Sequence, residues 1–356
     1  MDAKNTRRDS SLSPNKIRKA KIETGKSFVA ASLIALVLMS GIIGVVTLHP
    51  VGNYNMKHEI TVDGKADDWT GSLPSTSNTF VVSNGEYVWN DKTGDERNDF
   101  NGSNSDTRVD LTEFRVTGDS SYLYMMAKFY DLDNGSTLHL GDNGATFMAI
   151  TIDNGSTGGQ TYFAGESDTQ VNNTAAWEYQ IVVNLADSRF SGKNMNSTSY
   201  PLNESTANWG SVFYVVNSSW KFVNFAGDHG EHGLMAVNMS TNIIEIKIAW
   251  SVLGIDVSKS PTLKMAVITA RGWSDYKNNQ GHVWDISGAS DALDCVSTEP
   301  TTWDEVNDGV VNDTMTITFS SNGDVSSGEV PEFSPMYSAL ILVVFIVPIL
   351  IKREKV

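Results

Sequence analysis

Two apolar segments, one toward each end of the chain, constrain everything that lies between them. Phe28 to Leu48 is 21 residues without a charge, and a helix of that length, rising about 1.5 Å per residue, spans the hydrocarbon of a bilayer. Met336 to Ile351 is 16 residues, short but sufficient where flanking groups snorkel. Basic residues border both on their outer sides, and basic flanks stay in the cytoplasm. The expected order is therefore a basic cytoplasmic tail (1–27), a transmembrane signal anchor (28–48), an extracellular domain (49–319), a flexible stalk (320–335), a C-terminal transmembrane or sorting segment (336–351) and a second basic tail (352–356). An uncleaved anchor is the reading for the first segment, because it exceeds the roughly 7–15 apolar residues of a cleaved signal peptide. The Ser/Gly/Glu/Pro composition of 320–335 suits a stalk.

The charge is distributed to match. Eight Lys/Arg against three Asp/Glu precede residue 28, three against one follow residue 351, and 15 against 38 lie between. So acidic an exterior repels nucleic acid and anionic lipid, since phosphate recognition needs clustered Lys/Arg. It suits solubility, cation binding or a salty exterior. Cys295 is the only cysteine, so the external domain is held by its core, its strand pairing or bound metal. Asn-x-Ser/Thr acceptors occur at Asn101, Asn134, Asn154, Asn172, Asn196, Asn203, Asn217, Asn238 and Asn312, none of them in a cytoplasmic tail. They agree with a glycosylated exterior.

The periodicity between the anchors is β. In Asn242–Ala249, Ile244, Ile246 and Ile248 point one way and Glu245 and Lys247 the other. Further strands are expected at Glu59–Val62, Thr79–Ser83, Val109–Val116, Ser121–Tyr130, Ala145–Ile152, Trp177–Asn184, Ser211–Asn217, Leu263–Ala270 and Asp313–Phe319, with one helical turn in Ala249–Gly254. Gly, Asn, Asp and Ser fill the gaps as turn residues do. Short strands in this number predict an all-β, antiparallel β-sandwich ectodomain between the two terminal transmembrane helices.

Two acidic stretches have the composition of oxygen-ligand metal sites. Ile60–Trp69 (ITVDGKADDW) follows a predicted strand with a turn carrying Asp63 and Asp68; Trp89–Asp99 (WNDKTGDERND) sets Asp91 and Asp95 around a glycine. Calcium takes six to eight oxygens, and Asp alternating with Gly at a bend supplies several at once. Neither stretch has EF-hand spacing, and Asp, Asn and Gly also make plain turns. Calcium as a structural cofactor, through Asp91, Asp95, Asp63 and Asp68, is the expectation.

These residues also carry a resemblance. Ile60–Trp69 is similar to the opening of DOMON-like sandwiches, a group that includes certain carbohydrate-binding modules. Glu86–Asp95 followed by Val109–Val116 resembles the C-terminal domain of glucodextranase, with its aromatic-Asp-x-x-Gly-Asp turn and following strand. Ala145–Asp153 and Leu263–Trp273 fit its later strands, and the resemblance covers residues 59–319. It implies a surface domain that attaches to the envelope or binds glycan, without the hydrolase that accompanies the module in glucodextranase. Val330-Pro-Glu-Phe-Ser334, an apolar run and Lys-Arg resemble the PEF-type archaeal C-terminal sorting signal, which implies transfer to another anchor; a plain membrane anchor is the other reading.

Catalytic motifs are sparse: no Gly-x-Ser-x-Gly elbow, phosphate loop or zinc-protease motif occurs. His229 and His232 have His-x-x-His spacing in a Gly-rich loop, but two ligands do not make a metal site. Trp89, Trp177, Trp209, Trp220, Trp273, Trp284 and Trp303 lie near predicted strand ends, where rings either stack on sugars or fill a core. Three readings follow. The chain is a non-catalytic binder of glycan or neighbouring envelope proteins at the cell membrane, an S-layer-type component packing laterally, or an accessory protein of a glycan-degrading or redox system.

Overall fold

Strand alternation sets the layers. In the computed structural model, Ile244, Ile246 and Ile248 enter the main core at 1% exposure or less, and Glu245 and Lys247 take the opposite face. The structure describes residues 59–97, 109–132, 145–165, 167–185, 198–202, 207–208, 211–223, 230–272 and 290–326. Both apolar segments, both basic tails, Asn101, Asn134, Asn196, Asn203, His229, Trp209, Trp273 and Trp284 lie outside these residues. Among the described residues no helix is long and apolar enough to cross a membrane.

Two sheets enclose the main core. The seven-stranded sheet runs β1 (Thr79–Ser83), β2 (Glu86–Asn90), β3 (Leu111–Gly118), β4 (Tyr122–Phe129), β11 (Ile243–Ala249), β10 (Gly233–Asn238), β8 (Thr198–Pro201). The six-stranded sheet runs β13 (Ala292–Cys295), β12 (Thr262–Gly272), β5 (Ala145–Asp153), β7 (Tyr179–Asn184), β9 (Phe213–Asn217), with β15 (Met315–Thr318) also paired to β12. All of these pairings are antiparallel; one short parallel pair joins β6 (Gln170–Val171) to β14 (Val310–Val311). A second apolar cluster covers the outer face of the six-stranded sheet, where Trp177 meets Trp220 edge-on at 5.2 Å. A five-residue helix, α1 (Thr302–Val306), closes that side and is capped by the Thr301 side chain. Most expected strands are present with ends moved by a residue or two, and Trp250–Leu253 forms the expected turn as a 3-10 helix.

Glu59–Val62 is the exception, because its neighbours bond to side chains instead of to a strand. Residues 59–72 form a strap across the outer face of the seven-stranded sheet. The buried Glu245 carboxylate accepts from the Asp63 amide (2.8 Å), the Gly64 amide (2.6 Å) and the Trp69 indole (2.7 Å). Gly64 has φ +77°, and a Cβ there would lie 2.6 Å from that of Asn238, so the turn admits only glycine. Further along, buried Glu86 accepts from the Thr70 and Gly71 amides and pairs with Arg115 at 2.9 Å. Ile60 and Trp69 then pack on Tyr124, Met126 and Ile243. The far boundary also moves: the segment expected to begin a stalk stays folded through Ser326, with Val325 buried and bonded to the Gly85 carbonyl.

Removing the acceptor of the strap strands three donors, each costing about 1–3 kcal/mol when left buried and unpaired. Glu245→Ala is therefore expected to lower unfolding free energy by about 2–4 kcal/mol, after local relaxation. Asp68→Ala, which loses only an exposed bond to the Thr61 amide, is expected to cost under about 1 kcal/mol. Denaturant titration of both variants checks the difference.

Candidate metal centre

The second acidic stretch leads directly out of β2. Asp91 follows that strand; its amide bonds to the Thr112 carbonyl, and its Oδ1 accepts from the Trp89 indole at 2.7 Å. The chain then turns at Gly94 (φ +80°), whose amide donates to Asp110 at 3.1 Å. The turn brings Asp95 inward, where its carbonyl accepts from the Thr302 amide of α1. From the other sheet, β13 contributes Asp294. Its Oδ2 accepts from the Leu111 amide of β3 at 2.6 Å, and its Oδ1 from the Cys295 amide and the Thr302 hydroxyl, both at 2.8 Å. Ligand oxygens of Asp91, Asp95 and Asp294 all lie within 4.8 Å of one another.

This geometry fits a hard cation. Oxygens on opposite sides of a calcium ion sit roughly 5 Å apart, because each Ca–O bond is about 2.3–2.6 Å. Asp91, Asp95 and Asp294 are 4%, 8% and 0% exposed. Asp91 Oδ2 and Asp95 Oδ1 are buried and accept no hydrogen bond. Among the described residues no salt bridge reaches any of the three. Two full charges at 4.8 Å repel by about 3 kcal/mol at an effective dielectric near 20, so the cluster holds either protons or a cation. Burial is the first cause lifting the carboxyls of Asp91 and Asp294 well above the ordinary range, with repulsion from neighbouring aspartates added. Burial also pushes Asp95 to about 6, against the opposing charge of Lys92, and Asp110 to about 7, with Glu96 adding to the shift.

The two acidic stretches thus part company. Asp91 and Asp95 converge, whereas Asp63 and Asp68 are not in the group. Asp63 bonds to Lys65 and Asp68 to the Thr61 amide, so both brace the strap. Asp294 and Asp110 were missed from sequence. The available signal was a carboxylate inside the apolar run Ala292-Leu-Asp-Cys295, since a charge is rarely buried in a strand without a partner.

Other sequence candidates are placed as follows. Trp89 and Trp177 are core residues, and Trp303 lies under the Arg97 guanidinium at 4.2 Å. Among the described residues the aromatic rings most exposed are instead Phe80, Tyr130 and Tyr162. Of the acceptors, Asn172 and Asn312 bond to each other, Asn154 donates to the Leu253 carbonyl, Asn217 caps the turn to Lys221, and Asn238 is buried beside Gly64. His232 lines an open cleft. Neither a protein-family profile nor a curated protein sequence matches the chain. Among solved structures, the chain is similar to a carbohydrate binding module family 9 from Caldicellulosiruptor kristjanssonii in complex with cellotriose, at 13% identity and TM-score 0.23, covering 48% of this chain and 62% of that one. The same module in complex with glucose matches at 13% identity and TM-score 0.22, covering 52% and 75%. The chain thus spans less than two thirds of the first of these, and likeness this faint carries no functional argument.

The raised carboxyls give a pH signature. Each takes up a proton more readily folded than unfolded, so protons favour the fold of the metal-free protein. Its stability is expected to rise as pH falls from about 8 toward 5, and to be lost as pH climbs through the values of Asp95 and Asp110. Calcium takes the place of those protons, so its stabilising effect is expected to be largest near pH 8 and to shrink toward pH 5. Melting curves with chelator and with millimolar calcium across this range check it; equal pH slopes in both would contradict it.

Proposed function

We propose that this chain is a membrane-displayed, non-catalytic β-sandwich that binds glycan, with a calcium ion as structural cofactor. The observation that carries the cofactor is the convergence of Asp91, Asp95 and Asp294, two of which carry a buried oxygen that accepts no hydrogen bond among the described residues. When bound, calcium supplies charge neutralisation and a bridge between the sheets, because Asp91 extends from one sheet and Asp294 belongs to the other.

A binder is favoured over a hydrolase by where the acids lie. Glycoside hydrolysis needs two carboxyls on either side of an accessible bond, at least about 5 Å apart. Here Asp91, Asp95 and Asp294 are 8% exposed or less and crowd within 4.8 Å. Such groups hold an ion, not a sugar. Glycan is the partner that suits the remaining surface: an acidic exterior and exposed rings, including Tyr130 beside the cluster, whose amide bonds to the Asp110 carbonyl.

Membrane display rests on the two apolar segments and on the ends of the sandwich. Residues 323–326 pack at the Gly85 and Asp119 turns, and Glu59 acts on Tyr124, whose hydroxyl donates to Asp119. The metal cluster lies at the opposite end, beside the C-terminus of β2 and the N-terminus of β3. The resemblance to a PEF-type sorting signal makes exchange of the C-terminal anchor part of the same reading.

The test is retention of the full-length protein, in detergent, on insoluble α-glucan and on isolated cell envelope. Retention on at least one is expected, lost on chelation if the ion organises the domain. Retention on neither would leave lateral packing in its place, and release of reducing sugar would make it an enzyme.

A further inference from the structure

Every open sheet has edges, and an edge strand with unpaired N–H and C=O groups is a template for another strand. Three edges are closed by the chain itself. Beyond β9 the Val223 amide bonds to the Val215 carbonyl at 2.8 Å, and beside β15 the Ser326 amide bonds to the Thr318 carbonyl at 2.9 Å. At β13 the Arg97 amide reaches the Leu293 carbonyl at 2.7 Å. The edge at β8 adjoins residues outside the described ones. That leaves β1, the end strand of the seven-stranded sheet, whose one paired neighbour among the described residues is β2.

The turn after β1 shows which groups face outward. Ser83 pairs with Glu86 across Asn84 (φ +52°) and Gly85 (φ +76°). In a hairpin with such a two-residue turn the closing pair exchanges hydrogen bonds, and so does every second pair beyond it. Val81 and Ser83 therefore bond to β2, and Phe80 and Val82 direct their N–H and C=O groups away from it. Among the described residues nothing beyond the sheet bonds to those groups. The strap crosses the outer face of β1 and β2 and leaves the edge open: the Ser72 amide donates to Ser83 Oγ, and Asn90 Nδ2 donates to the Pro74 carbonyl.

The residues of this edge select its occupant. Natural edges are guarded by charge, proline or a bulge. The sequence of β1, TFVVS, has neither charge nor proline, and its register with β2 is unbroken. It lies within Trp69–Gly85, 17 residues without a charge in a chain of net charge −16. A charged partner gains nothing here, whereas two acidic copies meet with least repulsion at such a strip. Phe80 is 55% exposed although it stacks on Tyr87 at 4.7 Å, and Leu73 on the strap is 47% exposed. A two-fold axis at Val81 sets Phe80 opposite Val82 of the partner subunit, and Val82 opposite Phe80 of the partner subunit. The outward backbone groups of one copy then meet those of the other, and both pairs join an aromatic to a β-branched side chain. From this we infer that β1 is an interface for a second copy of this chain, paired antiparallel and centred on Val81, which joins two seven-stranded sheets into one. The inference is independent of the glycan reading.

The experiment combines sedimentation velocity of the full-length protein in detergent with disulfide trapping, in which buried Cys295 does not compete. At the axis the two Val81 Cα atoms stand roughly 4.5 Å apart, within reach of a disulfide. The two Thr79 residues are offset by roughly 14 Å along the strands and are out of reach. Under mild oxidation Val81→Cys is expected to form a covalent dimer at least tenfold faster than Thr79→Cys. Val81→Lys and Val81→Glu are each expected to be monomeric, because like charges then stand opposite one another, and mixing the two restores the dimer. Melting temperatures show that the variants are folded, and trapping of Val81→Cys remains decisive if the charged variants are not. Wild-type protein that stays monomeric at every concentration tested would overturn the inference. So would a dimer that persists in Val81→Lys, as one held by the apolar segments would, or equal trapping at Thr79 and Val81.

Discussion

Burying a carboxylate costs several kcal/mol unless its charge is matched, and this sandwich depends on carboxylates that it has buried. Glu86 and Glu245 are fully buried on the outer face of one sheet, where strap amides, an indole and Arg115 supply their partners. Asp294 is fully buried at one end and draws an amide from each sheet, those of Leu111 and Cys295. Asp91 and Asp95 complete the pattern with oxygens that no described residue satisfies. The first two acids are closed by the chain itself. The last three crowd together, and protons or the divalent cation we propose would relieve their repulsion.

This difference orders the molecule from end to end. The strap covers the seven-stranded sheet using only local donors, so its stability is a property of the polypeptide. The far end ties β2, β3, β13 and α1 together through a shared set of oxygens, so with the proposed ion its stability would follow that ion. Without disulfides, since Cys295 is buried and free, the sandwich has few other means of joining its sheets beyond the core. A strongly acidic exterior belongs to the same account, since it concentrates cations around the site.

Much of the fold was legible in the sequence because period-2 alternation survives wherever one face is buried, as in Ile243–Ala249. The strap was misread as a strand because Ile60 and Val62 alternate like one, while the partner of its amides is a side chain 181 residues away. Two of the three aspartates in the cluster were legible: Asp91 and Asp95 share a turn, and turn composition shows locally. Asp294 belongs to the same site only through sheet packing, which no local pattern reports. Asp63 and Asp68 lie in a stretch of the same composition, yet face Lys65 and a backbone amide. Composition marked two acidic stretches, and long-range packing brings a third carboxylate to only one of them. The tryptophans show the same limit, since Trp89 and Trp177 differ from exposed rings only in burial.

The most direct test of this account is the position of the ion. In crystals of the protein grown with calcium and soaked in terbium, the account predicts an anomalous peak within about 2.6 Å of oxygens from Asp91, Asp95 and Asp294, and its loss in Asp294→Asn. A well-ordered cluster with no peak, its carboxyls bonded to one another through shared protons, would contradict it.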